Sequence, residues 1–325
     1  YIYTGDTAIL ERNYDGFKKY FAFVEKHKSR DWITDFGLGD WSPPHTENSG
    51  QVNTPSALTS TSYFYHDAVL LSKMAAILGK PEDEAFFKDR ANRIREAFLG
   101  TFSKEGVLGN GSQTSYASAL YHGLIPEEQQ PGVLASLLEA VEAKGGHLDT
   151  GILGTKYVMR CLSDSGRCDA AYSIASKTTF PSWGYMVEQD ASTLWERWDG
   201  ADSRNHIMFG DISAWFYEYL AGIQPDENAP GFKHFFVKPF LPADLGSVKA
   251  SHRSPYGLIE SSWVQDKEAA VFSITVPPNS SATFVYPFDG FTAITLNGRV
   301  LAKEHMVSGA RLKLVSGVHR IEIRK

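Results

Sequence analysis

The chain is 325 residues long, 42% hydrophobic and 22% charged, which is the composition of an ordinary globular protein with room for two domains. Its formal net charge of −6 gives no electrostatic footprint for nucleic acid or an anionic membrane surface, and both partners are excluded on that ground. No run of 18 apolar residues exists that could form a spanning helix.

The opening, Y-I-Y-T-G-D, has no initiator methionine, basic segment or apolar segment, so it reads as neither a natural start nor a signal peptide; an N-terminal portion is expected upstream, and the compartment stays open. Asp6 can cap a helix of about six turns with Leu10, Tyr14, Phe17, Phe21 and Val24 on one face. A long non-periodic stretch follows, Ser29 to Pro55, and loops of that length inside compact domains tend to be functional. It carries Trp32, Asp35, Asp40, Trp41 and His45, aromatic rings mixed with carboxylates, although a surface loop turning on Asp and Gly would have the same composition.

Helices then recur in pairs. Tyr63–Leu78 ends at Gly79, and Pro81 opens the next, lined by Phe87, Ala91, Ile94 and Phe98 and stopped by Gly100. Ser112–Leu124, Pro131–Ala143, Ile152–Leu162 and Cys168–Ala175 continue the series. Helices separated by connections that are short on one side and long on the other fit an α/α barrel better than a bundle. His147 lies in a long connection, G-G-H-L-D-T-G, where it is either a structural hydrogen-bond partner or a group at the rim of a site. Cys161 and Cys168 are spaced C-x6-C with no histidine cluster to complete a zinc site, so two buried thiols are expected, with a local disulfide the minority alternative, and no metal is implied.

The densest stretch is Pro181–Gly222, where Trp183, Trp195 and Trp198 sit among Glu188, Asp190, Glu196, Arg197, Asp199 and His206. A pyranose shows apolar C–H faces and a rim of hydroxyls, so aromatic platforms beside charged hydrogen-bond partners suit a sugar. A carboxylate flanked by Trp195 and Trp198 is partly desolvated, which raises its pKa toward the range useful for proton transfer. The competing reading makes the tryptophans core and Glu196–Arg197 a surface ion pair. Against it, Met208, Ile212, Trp215, Phe216, Tyr219 and Leu220 already supply an apolar helix face before Gly222 and Pro225.

From about Gln224 the pattern changes to short β-branched, alternating segments with P-P-N-S, F-D-G and L-N-G as turns, which predicts an antiparallel β-sandwich of six to eight strands. Asn297-Gly298 is a strong hairpin signal. The expected domains are therefore 1–223 and 232–325, joined through I-Q-P-D-E-N-A-P-G. No chemistry concentrates in the second.

T-L-W-E-R-W-D-G followed by N-H-I-M-F-G-D, with S-W-G-Y-M before it, resembles the C-terminal half of the catalytic domain of bacterial α-L-rhamnosidases, glycoside hydrolase family 78. G-D-W at Gly39–Trp41, G-H-L-D-T-G-I-L-G-T at Gly146–Thr155, and F-V-K-P-F-L with S-P-Y-G-L-I-E-S-S-W in the tail extend the resemblance over most of the chain. It implies part of an (α/α)6 barrel lacking its first helices, followed by the sandwich, and an inverting enzyme acting on a rhamnoside substrate without a cofactor. It implies Glu196 as general base, His206 on the sugar hydroxyls, Asp40 and Trp41 as sugar contacts, and Trp183 and Trp195 as apolar platforms, with His147 at the rim. The family's general acid lies in a segment ending G-W-x-G-D that is not found here; it belongs upstream of Tyr1 unless Asp35, Asp40 or Glu188 has taken the role. Another α/α-barrel glycosidase or lyase, or a non-catalytic carbohydrate-binding protein, remains an alternative.

Overall fold

The computed structural model describes residues 1–48, 50–286, 292–301 and 309–324. Contacts divide the chain into two compact units, residues 10–212 and residues 1–9 with 213–325.

The first unit is a series of helical hairpins. Helix α1 (Ala8–His27) begins where Asp6 Oδ1 accepts from Ala8 N at 2.9 Å, and it buries Leu10, Tyr14, Phe21 and Val24, while Phe17 stays 43% exposed. A two-residue ribbon of β1 (Ser29–Arg30) and β2 (Ile33–Thr34) opens the connection to α2 (Ser56–Ile77). That helix starts two turns ahead of Tyr63, in S-A-L-T-S-T-S, which has no apolar period to announce it. Three of the hydroxyls there are satisfied inside the core, Ser62 Oγ donating to Leu58 O at 2.9 Å, Thr61 Oγ1 to Thr34 O at 3.1 Å and Thr59 Oγ1 to Ser56 O at 3.1 Å, while Ser60 Oγ is buried without a partner among the described residues. Small side chains then let neighbours pack closely without an apolar stripe.

Helix α3 (Pro81–Phe102) runs through Gly100 instead of stopping there, because Phe98 and Phe102 carry its packing onward with rings 5.0 Å apart. The ribbon β3 (Ser103–Lys104)–β4 (Val107–Leu108) leads to α4 (Gln113–Tyr121), capped by Ser112 Oγ, which accepts from Ser115 N. Then come α5 (Gln130–Glu142), α6 (Ile152–Asp164), α7 (Cys168–Ala175), the short α8 (Trp183–Glu188) and α9 (Asp211–Trp215), which passes into a π-turn over Phe216–Leu220. The gaps between α2 and α3 and between α6 and α7 are three residues, whereas residues 28–55, 103–112, 143–151, 176–182 and 189–210 make longer entries to α2, α4, α6, α8 and α9. The expected contrast of short and long connections is present, but strict alternation is not: residues 122–129 before α5 make a further long connection, and the two connections flanking α8 are both long. Among the described residues no helix is long and apolar enough to cross a membrane.

The second unit takes in residues 1–9, the end of α9 from Ser213 and the π-turn, and is otherwise made of sheets. Its strands are β5 (Ile223–Pro225), β6 (His234–Val237), β7 (Ser247–Ser254), β8 (Gly257–Gln265), β9 (Ala269–Val276), β10 (Ser281–Val285), β11 (Ala293–Leu296), β12 (Arg299–Val300), β13 (Arg311–Leu314) and β14 (Gly317–Arg324). They form a four-stranded sheet in the order β13-β10-β6-β5 and a six-stranded sheet in the order β12-β11-β14-β9-β8-β7. One pair departs from the antiparallel expectation: β6 and β10 run parallel, because β7–β9 of the other sheet lie between them in sequence. Phe235, Trp263, Phe272, Phe284 and Ile321 belong to one buried core, as strands that alternate inward and outward residues require. Asn297 and Gly298, at φ of 51° and 80°, close the β11–β12 hairpin as predicted. The F-D-G turn at 288–290 lies outside the described residues.

Candidate active site

The long connections are stitched to one another at the helix N-termini, and the stitching accounts for most of the residues singled out from sequence. Asp40, on the 28–55 connection, is 1% exposed. Its Oδ2 accepts from Gly151 N at 2.9 Å and from the Thr114 hydroxyl, and its Oδ1 accepts from Leu153 N at 3.0 Å and Gly154 N at 2.9 Å. It is the anionic cap of α6, where orphan N–H groups and the helix dipole favour a carboxylate. Burial pushes its pKa up, against the hydrogen bonds from Gly154, Thr114, Gly151 and Leu153. Both oxygens of Asp40, expected from sequence as a sugar contact, are occupied by donors from α4 and the start of α6, which supports a part in building the site.

The next residue carries the same junction. Trp41 O accepts from Ile152 N at 2.9 Å, and a Cβ on Gly151 would lie 1.9 Å from that oxygen. At Gly154 a Cβ would lie 2.0 Å from Thr114 Oγ1. The two glycines of T-G-I-L-G-T are thus the condition for Asp40 and Trp41 to reach the start of α6. The Trp41 indole is half-buried, and its Nε1 has no partner among the described residues. Asp40→Asn places an NH2 group among donors; a loss of about 1–3 kcal/mol is expected. Urea denaturation at pH 7 reads it, and an unchanged midpoint would contradict the capping role.

The tryptophans fall on the core side of the two sequence readings. Trp198 is 1% exposed, stacks on Phe209 at 4.0 Å and donates Nε1–H to Thr150 O at 3.0 Å. Trp183 is buried edge-on to Trp198 and donates to Phe209 O. Trp195 is 3% exposed, with the Arg204 guanidinium 5.1 Å from its ring centroid and Gly200 packed so closely that a Cβ would approach the ring to 2.7 Å. Trp183 and Trp195 therefore do not present open platforms: Trp183 ties α8 to the 189–210 connection, and Trp195 packs within that connection. His147 is likewise tied down, Nε2 to Thr179 Oγ1 at 2.8 Å and Nδ1 to Lys144 O at 3.3 Å, which joins the connections before α6 and α8.

Arg197 is not a surface partner of Glu196. It is 6% exposed and donates to Thr46 O at 2.6 Å, Glu47 O at 3.1 Å and Asp199 Oδ2 at 2.9 Å, which locks the 189–210 connection onto the 28–55 connection. Sequence reasoning gave this arginine no positioning role. Its place between two tryptophans of W-E-R-W was the available signal, since a cation in an apolar frame must find fixed acceptors.

What the scaffold leaves available is Glu196. The connection folds back on itself, with His206 N donating to Leu194 O and Glu196 N donating to Ser203 O, both at 2.8 Å. Glu196 and His206 are thereby held in one hairpin-like loop. Glu196 is half-buried; Oε2 accepts from Ser203 N at 3.1 Å, and Oε1 has no hydrogen bond among the described residues. His206 Nδ1 is buried without a partner among the described residues. A carboxylate with one oxygen fixed and the other open is suited to take a proton from water. Asp35, His45 and Glu188 are exposed, and His45 meets Phe180 edge-on at 5.2 Å.

Comparison with known proteins is consistent along the whole chain. The model of the bacterial alpha-L-rhamnosidase six-hairpin glycosidase domain matches residues 1–220, and that of the bacterial alpha-L-rhamnosidase C-terminal domain matches residues 222–298. An α-L-rhamnosidase of Formosa agariphila is 34% identical over 98% of this chain and 35% of its own length, and one of an Alteromonas species is 33% identical over 88% and 33%. The solved α-L-rhamnosidase of Dictyoglumus thermophilum superposes with a TM-score of 0.92 at 36% identity, covering 100% of this chain and 38% of that one. The Streptomyces avermitilis α-L-rhamnosidase, solved in complex with L-rhamnose, gives 0.89 at 30% identity, covering 99% and 31%. The chain spans about a third of the length of these curated relatives.

Proposed function

Since the chain belongs to the bacterial α-L-rhamnosidase family, we propose that it supplies the general-base half of an inverting glycosidase site that releases terminal α-L-rhamnose from rhamnosides, with Glu196 as the base. The observation that carries this reading is the Glu196 carboxylate, one oxygen held by Ser203 N–H and the other unspent, on a loop fixed by buried tryptophans and Arg197. In an inverting displacement a carboxylate deprotonates water on one face of the sugar while an acid about 6.5–9.5 Å away protonates the leaving oxygen. Water held by Glu196 Oε attacks the anomeric carbon, the C–O bond to the aglycone breaks, and the proton from water goes to Glu196.

The acid is assigned to a segment outside these 325 residues, a reading supported by relatives roughly three times as long. His206 and Trp41 stay as candidates for the sugar's hydroxyls, each with an unpartnered ring nitrogen in the fixed frame. The catalytic portion is proposed as residues 1–223 and the β module as 232–325.

The test is hydrolysis of p-nitrophenyl α-L-rhamnopyranoside, beside the matching α-glucoside, β-glucoside and β-galactoside, by the protein containing this chain. Proton NMR follows the anomer formed first. Preference for the rhamnoside with β-L-rhamnose appearing first is expected. Preference for another sugar, or first release of the α-anomer, would overturn the corresponding half of the proposal.

A further inference from the structure

The β unit holds a cavity of about 260 Å³ that no part of the hydrolytic reading uses. Its aromatic wall is built around buried Phe232. The His252 ring lies 4.5 Å from Phe232, and Tyr3 stands edge-on to Phe232 at 5.5 Å and to His252 at 6.0 Å. Tyr3 and Tyr217 line the cavity while remaining 49% and 45% exposed. Two polar groups of opposite sign complete it. Glu218 Oε1 accepts from the Tyr3 hydroxyl at 3.2 Å, and Arg253, exposed on β7, makes no ion pair among the described residues.

Cavity size and charge restrict the occupant. The volume lies just below the roughly 300–1,000 Å³ of pockets that take drug-sized ligands, so it admits one ring. Half-exposed phenols give faces for C–H stacking, a carboxylate accepts from hydroxyls, and a guanidinium donates to them. Burial depresses the pKa of His252, which leaves it uncharged at neutral pH, so the Glu218 and Arg253 charges balance. A net-neutral lining of this kind suits an uncharged polyol ring better than an acid.

We propose that this cavity is a carbohydrate-binding site, separate from the hydrolytic centre, that holds one neutral pyranose residue of a glycan through Tyr217, Glu218 and Arg253. Its occupant need not be rhamnose, and binding there needs no turnover.

The proposal is tested by saturation-transfer NMR and calorimetry on the protein containing this chain. The probes are methyl β-D-glucopyranoside, methyl β-D-galactopyranoside, methyl α-D-mannopyranoside and sodium D-glucuronate. Each titration is repeated with L-rhamnose at saturation to fill the hydrolytic centre, and only binding that persists is counted. Millimolar binding of at least one methyl glycoside is expected, weakened about tenfold in both Tyr217→Ala and Arg253→Met, each a change at an exposed side chain that leaves the thermal midpoint in place. The proposal is overturned if no methyl glycoside binds below ~50 mM, if binding is untouched in both variants, or if glucuronate alone binds.

Discussion

Replacing Glu196 by glutamine should lower kcat on p-nitrophenyl α-L-rhamnopyranoside by about 10²–10⁴-fold, the usual cost of removing a positioned general base. Glutamine keeps a carbonyl oxygen that can accept from Ser203 N, so the loop has no reason to move and KM should change little. A fall in kcat with KM preserved separates loss of proton transfer from loss of binding. A second variant sharpens the assignment. Glu196→Ala opens space beside the anomeric carbon, and azide, which needs no deprotonation, should then attack there and restore consumption of the aryl rhamnoside as a β-rhamnosyl azide. Normal turnover in Glu196→Gln would remove Glu196 from the chemistry altogether. Azide rescue giving the α-configured product would keep it in the chemistry with the wrong role.

The same residues show what could be read from sequence and what could not. The helices and the contrast of short and long connections between them were legible because apolar period and Gly/Pro punctuation mark helix ends. The β unit was legible because β9 reads as inward and outward residues in turn. The early start of α2 was not, since S-A-L-T-S-T-S is buried by hydroxyl bonds to its own carbonyls and to Thr34, a device that leaves no hydrophobic trace. Nor was the parallel β6–β10 pair, because strand direction in a sandwich is set by which sheet the intervening strands join.

Within the site, sequence grouped the right loops but could not divide scaffold from working groups. Asp40 and Trp195 have the residue types of a sugar site, yet the first caps α6 and the second packs on Gly200. For Asp40 the deciding contacts come from residues more than 100 positions away, and for Trp195 from the folding back of its own connection. The Arg197 bonds to Thr46 O and Glu47 O and the Glu196–Ser203 pairing hold Glu196 in place, so the residues grouped by the resemblance form one connected apparatus.

Lowering the pH should unfold this protein through a histidine far from Glu196 in sequence. His122, at the end of α4, is 6% exposed, and neither ring nitrogen has a hydrogen-bond partner among the described residues. It is surrounded by Tyr63 at 5.3 Å, His66 at 4.8 Å, Tyr121 at 5.1 Å and Tyr157 at 5.0 Å between ring centroids. Burial, then the nearby His66 and Lys156, push its pKa from 6.5 down to about 3. Between those values the unfolded chain takes up a proton that the folded chain refuses. Stability from this group is therefore complete above about pH 6.5 and is lost on acidification, by about 1.4 kcal/mol for each pH unit, until the folded chain also protonates near pH 3. Carboxylates held low by ion pairs, such as Asp83 with Lys18, lose stability in the same direction, whereas Asp67, raised by burial to about 6, contributes in the opposite one. Comparison with His122→Phe cancels all of these. Phenylalanine keeps the ring contacts and removes two buried nitrogens, so at pH 7 the variant should be as stable as the parent or more so by about 1–3 kcal/mol. Urea denaturation at pH 7, 6 and 5 should give a flatter decline in the variant, with the gap over the parent widening by about 2 kcal/mol between pH 6.5 and 5. Parallel declines in the two proteins would mean that His122 protonates as freely folded as unfolded, and the acid limit of the helical unit would then have to be sought among its paired carboxylates.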